Sequence, residues 1–470
     1  MPLSDVFYLA ADVTWKPRSF GSLLFRVSRP RKVFLNATAT QLVAQLDGVC
    51  TGTDIATTQA ARYGISCEQT RADVTRVFDR LVAGNWLTTD VTRGKPVDLD
   101  QAKPPLDFVS LALTHRCNLR CRHCYISLTD HADAELTTDE WLAVIRQLQP
   151  FKLMGAILTG GEPLLRSDFW QLVEALKAIN VEVILATNGT LIDAEFVEHA
   201  QNAKVAAIQI GMDGAHPASH EALRGADTFE RTWRGIDLAH QAGLPVELLC
   251  TITRSTVDEY MSVVRLARQR GLQVALNEFL PLGPARANRA ELELTIQQLF
   301  QLRSKVATLT YAGVFPQKAD EAATFKYVTD GNGHQPQNWP KVQSCLGRDS
   351  GAHVLPNGDV LICPLLNWPH LIGGNVRYSA LRDIWEHSPV FQSLRELTVD
   401  GYATCRSCAN RYLCGGTCRA LALAETHDLT GSPNTARCFW EKIFFARMGR
   451  AMFDSTEPFQ TMLERENLLR

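Results

Sequence analysis

A chain of 470 residues is longer than a single hydrophobic core ordinarily fills, so two or three domains are expected. With 46% apolar and 21% charged residues and a formal charge of −2, it reads as a soluble globular protein with no general electrostatic pull toward nucleic acid or anionic membrane. The N-terminus lacks a basic segment followed by a long apolar core, and no apolar run approaches bilayer length, so a cytoplasmic protein is expected. Thirteen cysteines in such a chain point to metal ligation rather than a disulfide frame, because the cytosol keeps thiols reduced. Cys50, Cys67 and Cys250 stand outside any pattern and read as small buried hydrophobes.

Val6 to Trp15, Leu23 to Val27 and Val33 to Leu35 have the composition of short strands, the last two joined by the turn Ser28-Arg29-Pro30-Arg31. Asn36 can cap a helix carrying Leu42, Val43 and Leu46, and Thr53 a second helix ending near Tyr63-Gly64. A third runs from about Glu68 to Ala83, with Val74, Val77, Phe78 and Leu81 at helical spacing. Strands followed by helices make a small winged-helix-like α+β module. Such a module can bind DNA through a recognition helix, here with Arg71, Arg76 and Arg80, or capture an extended peptide along the free edge of its third strand.

The stretch Phe20 to Asn36, followed by Leu46-Asp47-Gly48, resembles the peptide-chaperone module of pyrroloquinoline quinone biosynthesis, the RiPP recognition element. RiPP denotes a ribosomally made, post-translationally modified peptide. The resemblance implies that a leader peptide adds as a strand beside the third strand and packs on the third helix. The contacts it implies are Lys32, Val33, Phe34 and Leu35 on the strand, and Arg71 and Val74 on the helix. From Thr88 to Asp107 the chain turns polar and proline-bearing, which suits a linker between domains.

Phe108 to Leu113 reads as a strand delivering a loop with Cys117, Cys121 and Cys124 in C-x3-C-x2-C spacing. A four-iron cluster takes one ligand per iron, so three close thiols leave one iron open. A structural zinc loop would want a fourth ligand, and none follows closely. His123 lies between two of the thiols and is expected to point outward. Leu136-Thr137-Thr138-Asp139-Glu140 supplies a capping residue and early acids that start a helix. The apolar runs Gly155 to Thr159, Val181 to Ala186, Val205 to Ile210, Val246 to Ile252 and Val274 to Phe279 then alternate with helical stretches, implying parallel βα units.

The three thiols, the strand before them and the aromatic Tyr125 after them resemble the radical S-adenosylmethionine (SAM) superfamily. That resemblance implies a partial (β/α)6 barrel, hence fold class α/β, and a [4Fe-4S] cluster whose open iron chelates SAM. The reduced cluster then cleaves SAM to a 5′-deoxyadenosyl radical, which abstracts hydrogen from a substrate. Gly160-Gly161-Glu162 resembles the SAM-binding glycine motif, with Glu162 accepting from the SAM ammonium. Thr187 and Asn188 resemble a loop near the ribose, Asp213 lies in the following loop, and Tyr125 offers backbone atoms to adenine. Arg224 resembles the arginine that pairs with the SAM carboxylate, a role suited to a guanidinium fork, while a surface arginine is the competing reading. Family members commonly carry serine where this chain has Gly211, so that contact is lost or replaced. Glu278 and Phe279 close the last strand and are expected to line the pocket.

The C-terminal third places Cys345, Gly358 and Cys363 in C-x12-G-x4-C spacing, then Cys405, Cys408, Cys414 and Cys418, and finally Cys438. The last five thiols alone would suit zinc as well. Joined to a radical SAM core, the pattern resembles the SPASM extension, whose cysteines hold two auxiliary iron–sulfur clusters. The family's connectivity implies Cys405, Cys408, Cys414 and Cys438 on the outer cluster and Cys345, Cys363 and Cys418 on the inner one. The inner cluster then has a vacant iron or a non-cysteine ligand, and it either binds a substrate group or carries electrons away from a substrate radical.

The expected organisation is a leader-binding module at 1–90, a linker at 91–106, the radical SAM barrel at 107–310, a bridge at 311–344, the SPASM domain at 345–440 and a C-terminal helix and tail at 441–470. Together these resemblances imply a maturase that crosslinks a precursor peptide, leader plus core, through a thioether or carbon–carbon bond. An external electron donor such as flavodoxin or ferredoxin is implied, with no nucleic acid or membrane partner. Two rivals are a sulfatase-type maturase oxidising Cys or Ser in a protein, and an iron–sulfur DNA-binding regulator.

Overall fold

The computed structural model describes residues 2–18, 21–26, 31–97, 99, 106–127, 135–299, 301–302, 351–408 and 416–431. They fall into two compact units, one up to residue 105 and one from Leu106 onward. Cys345, Cys414, Cys438, the expected bridge and the expected C-terminal helix lie outside the described residues.

In the first unit, β1 (Tyr8–Ala10) and β2 (Val13–Arg18) replace the single strand expected over Val6 to Trp15, because the chain turns at Ala11-Asp12. β2 pairs with β3 (Gly21–Arg26), and β3 with β4 (Arg31–Asn36), so among the described residues β4 is the edge of a three-stranded antiparallel sheet. The helices α1 (Ala37–Val43), α2 (Gly52–Tyr63) and α3 (Cys67–Ala83) follow. Thr51, not Thr53, caps α2, in a capping box with Asp54; Ser66 caps α3. β5 (Leu87–Thr88) and β6 (Gly94–Lys95) flank β1 in a second small sheet. Gly94 and Lys95 fall in the expected linker. The Lys95 ammonium donates to Ala11 O at 2.6 Å, Val97 N donates to Leu46 O at 2.7 Å, and Val97 joins the core with Phe7, Leu24, Leu46 and Phe78.

Three expectations for this unit change. Val74 and Leu35, offered as peptide contacts, are core residues at 1% and 6% exposure, because α3 and β4 turn these positions toward Phe7 and Trp15. Arg71 is exposed as expected, and Val33 is partly buried against the same core. Cys67 is exposed at the start of α3, whereas Cys250 is buried as expected.

The second unit is built on six parallel strands: β7 (Phe108–Ala112), β8 (Gly155–Thr159), β9 (Val183–Thr187), β10 (Ala207–Gly211), β11 (Val246–Ile252) and β12 (Gln273–Glu278). The helices α4 (Thr138–Leu148), α5 (Phe169–Ala178), α6 (Ala194–Asn202), α7 (Pro217–Arg224), α8 (Phe229–Gln241) and α9 (Tyr260–Gln269) occupy the crossovers. Burial alternates along the strands: Leu158, Leu185, Ile208, Ile210 and Leu248 are sealed, while Ile157, Ile184, Gln209, Glu247 and Thr251 are half-buried on the other face. One face therefore carries the core. On the other, Gln209 Nε2 donates to Glu247 Oε2 at 2.8 Å across the β10–β11 register.

The sheet continues past β7. β13 (Gly351–Val354) adds in parallel to β7, β14 (Asp359–Leu361) pairs antiparallel with β13, and β15 (Gly374–Asn375) closes the edge. Gly358, the glycine of the C-x12-G-x4-C pattern, forms the β13–β14 turn at φ +90, where a Cβ would reach Asn375 Oδ1 at 2.8 Å. Phe279, expected in the pocket, is instead 3% exposed and packs with Leu223, Ala285 and Leu292.

Candidate active site

Four loops leave the C-terminal ends of adjacent strands β7 to β10, where a parallel sheet gathers its functional groups. The first carries Cys117, Cys121 and Cys124; the second begins Gly160-Gly161-Glu162. Gly161 N donates to Thr114 O at 2.7 Å and Glu162 N to Arg116 O at 2.9 Å, locking the two backbones together. A Cβ on Gly160 would lie 2.5 Å from Thr114 O and one on Gly161 2.2 Å from Arg116 O, so this approach requires both glycines.

Glu162 is sealed from solvent. Its Oε1 accepts from Thr187 Oγ1 at 2.8 Å and Leu164 N at 3.2 Å, and its Oε2 accepts from Asn188 N at 2.9 Å. Burial pushes this carboxyl up to about 7, against the pull of those bonds. The side chain thus ties the β8 loop to the β9 loop. Asn188 Nδ2 donates to Asn118 Oδ1 at 2.8 Å, and Asn118 Nδ2 to Thr190 Oγ1 at 2.9 Å, which ties the β9 loop to the cysteine loop.

A second set of ties was not legible from motifs. Glu135 Oε1 accepts from Thr114 Oγ1 at 2.9 Å and His115 N at 2.7 Å. Arg166 donates to Leu113 O at 3.1 Å and Leu136 O at 3.2 Å while forking onto Asp168 at 2.8 and 2.7 Å. Arg377, beyond β15, donates to Glu135 O at 3.0 Å and to Glu140 Oε1 at 2.7 Å, and Leu136 N donates to Pro356 O at 2.6 Å. The turn of the added hairpin is in this way fastened to the limb that holds the cysteine loop. Neither Glu135 nor Arg377 belongs to a local pattern, so only their partners reveal them.

Beyond β10, Asp213 is buried, and its Oδ2 accepts from Arg224 Nε at 2.6 Å while Oδ1 accepts from Thr251 N at 2.8 Å. Burial pushes the Asp213 carboxyl up, but the Arg224 guanidinium, His123 and these donors outweigh it and leave it at about 2. Arg224 is 9% exposed, which removes the surface-arginine reading. His123 does not point outward: its side chain is 11% exposed, and Nε2 lies 3.5 Å from the same Asp213 oxygen. A buried carboxylate just beyond β10 offers the imidazole more than solvent does.

Tyr125 is 38% exposed. Its carbonyl is approached so closely by Gly283, at φ +53, that a Cβ there would lie 2.1 Å from Tyr125 O. Ala285 N donates to Cys124 O at 3.1 Å, closing the loop after β12 onto the cysteine loop.

The donor set fits an iron–sulfur cluster. All three thiols are partly buried, and burial pushes each up, Cys121 to about 11, so they need nearby positive charge to ionise as metal ligands. Three thiols on one loop offer a cubane one thiolate at each of three corner irons. The SAM side fits as well. Among the described residues the Arg224 terminal nitrogens have no acceptor, and a buried guanidinium with one edge open suits a carboxylate.

In the C-terminal part, Cys363 follows β14, Cys405 and Cys408 share a turn with Cys408 N donating to Cys405 O at 2.8 Å, and Cys418 caps the helix Arg419–Thr426. The Tyr402 ring, three residues before Cys405, lies 2.8 Å from where a Cβ on Gly416 would stand and packs under the Arg419 guanidinium at 4.3 Å. Gly416 and Thr417, both at positive φ, then turn the chain into Cys418. A ring contact and a left-handed turn bring together two thiol-bearing segments that are separate in sequence.

Residues 111–267 match the radical SAM superfamily, residues 345–409 an iron–sulfur cluster-binding domain (SPASM), and residues 24–87 coenzyme PQQ synthesis protein D. The chain is 30% identical over 336 residues to an AdoMet-dependent heme synthase of Methanosarcina barkeri, covering 68% of this chain and 93% of that protein. It is 28% identical over 312 residues to mycofactocin maturase MftC of Mycolicibacterium smegmatis, covering 66% and 76%. Its fold is similar to that of Streptococcus suis SuiB bound to S-adenosylmethionine, with a TM-score of 0.63 at 15% identity over 91% of this chain and 99% of that one. The chain belongs to the radical SAM superfamily, with a [4Fe-4S] cluster and SAM as cofactors, auxiliary iron–sulfur clusters in its SPASM part and a PqqD-type module before its barrel.

Proposed function

We propose that this protein is a radical SAM maturase that crosslinks a ribosomally made precursor peptide, captured by its own N-terminal module. The observation that carries the reading is β4, the edge of a three-stranded sheet in a PqqD-type module, fused to a radical SAM barrel. An edge strand offers a row of backbone donors and acceptors to an extended peptide. Holding the leader there raises the local concentration of the core segment at the reacting centre. Mycofactocin maturase and SuiB, the latter also seen bound to precursor peptide SuiA, support a peptide substrate.

In this reading Cys117, Cys121 and Cys124 hold the SAM cluster. Cys405, Cys408, Cys414 and Cys438 hold the outer auxiliary cluster, and Cys345, Cys363 and Cys418 the inner one. When bound, the reduced cluster supplies the electron that splits SAM into methionine and a 5′-deoxyadenosyl radical. The chain's part is orientation. Arg224 turns its free edge to the SAM carboxylate, Glu162 accepts from the ammonium with the lone-pair capacity left on Oε2, and Tyr125 and Asn188 face the nucleoside. Crosslinking removes two hydrogens from the peptide, one as an atom and the other as a proton with an electron, and the auxiliary clusters held by the C-terminal cysteines would supply the acceptor for that electron. An external electron donor such as flavodoxin or ferredoxin would recharge the SAM cluster.

Co-expression with any short peptide found encoded beside this chain tests the reading. The expected result is a peptide lighter by two hydrogen atoms, with a fragmentation gap spanning the linked residues. An unchanged peptide mass alongside active SAM cleavage would overturn it. The identity to AdoMet-dependent heme synthase favours a second reading, oxidation of a small molecule such as a tetrapyrrole. That reading gives the N-terminal module no role, so turnover unaffected by its deletion would favour it.

A further inference from the structure

The buried group Asp213, Arg224 and His123 joins the SAM site to the cysteine loop. Asp213 Oδ2 accepts from Arg224 Nε at 2.6 Å and lies 3.5 Å from His123 Nε2, while Oδ1 is fixed by Thr251 N at 2.8 Å. The backbone N of Asp213 donates to His220 Nδ1 at 3.4 Å. A second tie runs parallel to the first: Arg122 N donates to Leu223 O at 2.8 Å, so the residue before His123 is bonded to the residue before Arg224. The cysteine loop and the end of α7 therefore move as one piece.

The pose of the guanidinium is fixed on two sides. A Cβ on Gly211 would lie 2.0 Å from Arg224 Nη2 and 2.4 Å from Cζ, so the guanidinium lies flat on the backbone at the end of β10, in space any side chain would take. A guanidinium can present either its Nε edge or its terminal edge to a carboxylate. Asp213 occupies the first. Only the terminal edge remains, and among the described residues it meets no acceptor.

We propose that Asp213 is the positioning residue of the SAM carboxylate clamp: it touches no part of SAM, but selects which edge of Arg224 faces the ligand. Through His123 it also fixes that edge relative to Cys121 and Cys124. This rests on the reading of the barrel as a SAM site, and it assigns Asp213 a different task from cofactor contact. Gly211 becomes a specificity element, because its missing side chain is what lets the guanidinium lie at the strand end.

The test uses full-length protein, anaerobically reconstituted, with SAM and decarboxylated SAM as the two probes in equilibrium dialysis. Wild type should prefer SAM. In Asp213→Asn the affinity for SAM should fall by about tenfold or more, as for a lost charge-assisted bond, while that for decarboxylated SAM stays within about twofold. Gly211→Ala, which displaces the guanidinium without touching Asp213, should show the same selective loss and keeps the test open if Asp213→Asn fails to fold. Iron content and the electron paramagnetic resonance spectrum of the reduced cluster without SAM should match wild type. Equal loss for both probes in the variants, or no loss at all, would overturn the positioning role. Wild type binding neither probe would overturn the SAM site itself, a different failure.

Discussion

The strand ends of β7 to β10 and the outer edge of β4 are prepared for ligands in opposite ways. At the strand ends side chains are committed: Glu162, Asn188, Asn118, Glu135 and Asp213 each bond across loops, while among the described residues the terminal edge of Arg224 meets no acceptor. Along β4 the openness belongs to the backbone, which among the described residues pairs with β3 on one side only. A committed side-chain site is stiff and accepts one ligand shape, as a shared cofactor demands. A backbone edge reads strand geometry more than sequence, as a leader peptide of variable sequence demands.

The comparison breaks most completely at the thiols. Cys117→Ala, Cys121→Ala or Cys124→Ala should each abolish deoxyadenosine formation, read by chromatography, whereas Cys405→Ala should retain abortive SAM cleavage and end peptide modification. Deleting residues 1–97 sharpens it from the other side. Peptide modification should drop on the order of 10²-fold as tethering is lost, with abortive cleavage little changed. A cut after residue 90 would be a poor version of that experiment, because it leaves β6 without β1 and Val97 without the core it joins.

Smaller effects probe how the strand ends are wired. Burial raises the Glu162 carboxyl from an ordinary 4.5 to about 7, so its contribution to stability is complete below about pH 4.5 and lost as pH rises through about 7. Chemical denaturation of the cluster-free protein should therefore show a stability decline toward about pH 8, worth roughly 3 kcal/mol, that Glu162→Gln lacks. Coincident pH profiles would contradict the buried carboxyl. Smallest is Arg377→Met. The Arg377 hydrogen bond holds the half-exposed Glu140 carboxyl down near 2, so the tie is present above about pH 4.5 and lost as pH falls through about 2. Its removal should cost about 1 kcal/mol or less at neutral pH, and less at low pH, where the bonds to backbone carbonyls are what remains to lose.

The sequence by itself determined what short-range chemistry can encode. The C-x3-C-x2-C loop, the glycine motif and the six apolar runs that became β7 to β12 are each written within a few neighbouring residues, and all landed where expected. The capping residue and early acids of Leu136 to Glu140 are of the same kind, and the structure resolves them into a Thr137–Glu140 capping box. Expectations failed where a side chain's direction depended on packing: Leu35, Val74 and Phe279 joined cores, and His123 turned inward to a carboxylate ninety residues away in sequence.

Only the tertiary structure decided the partnerships. Asp213, Arg224, His123 and Gly211 meet because β10 lies beside β9 and β11 and α7 returns over the strand ends, and no periodicity in the chain announces that meeting. Glu135 and Arg377 likewise acquire roles because β13 adds to β7 and carries its turn to the start of α4. Local patterns fix which backbone conformations are cheap. Which distant loops share one buried charge is settled by sheet order and close packing, and at this site that sharing sets the chemistry.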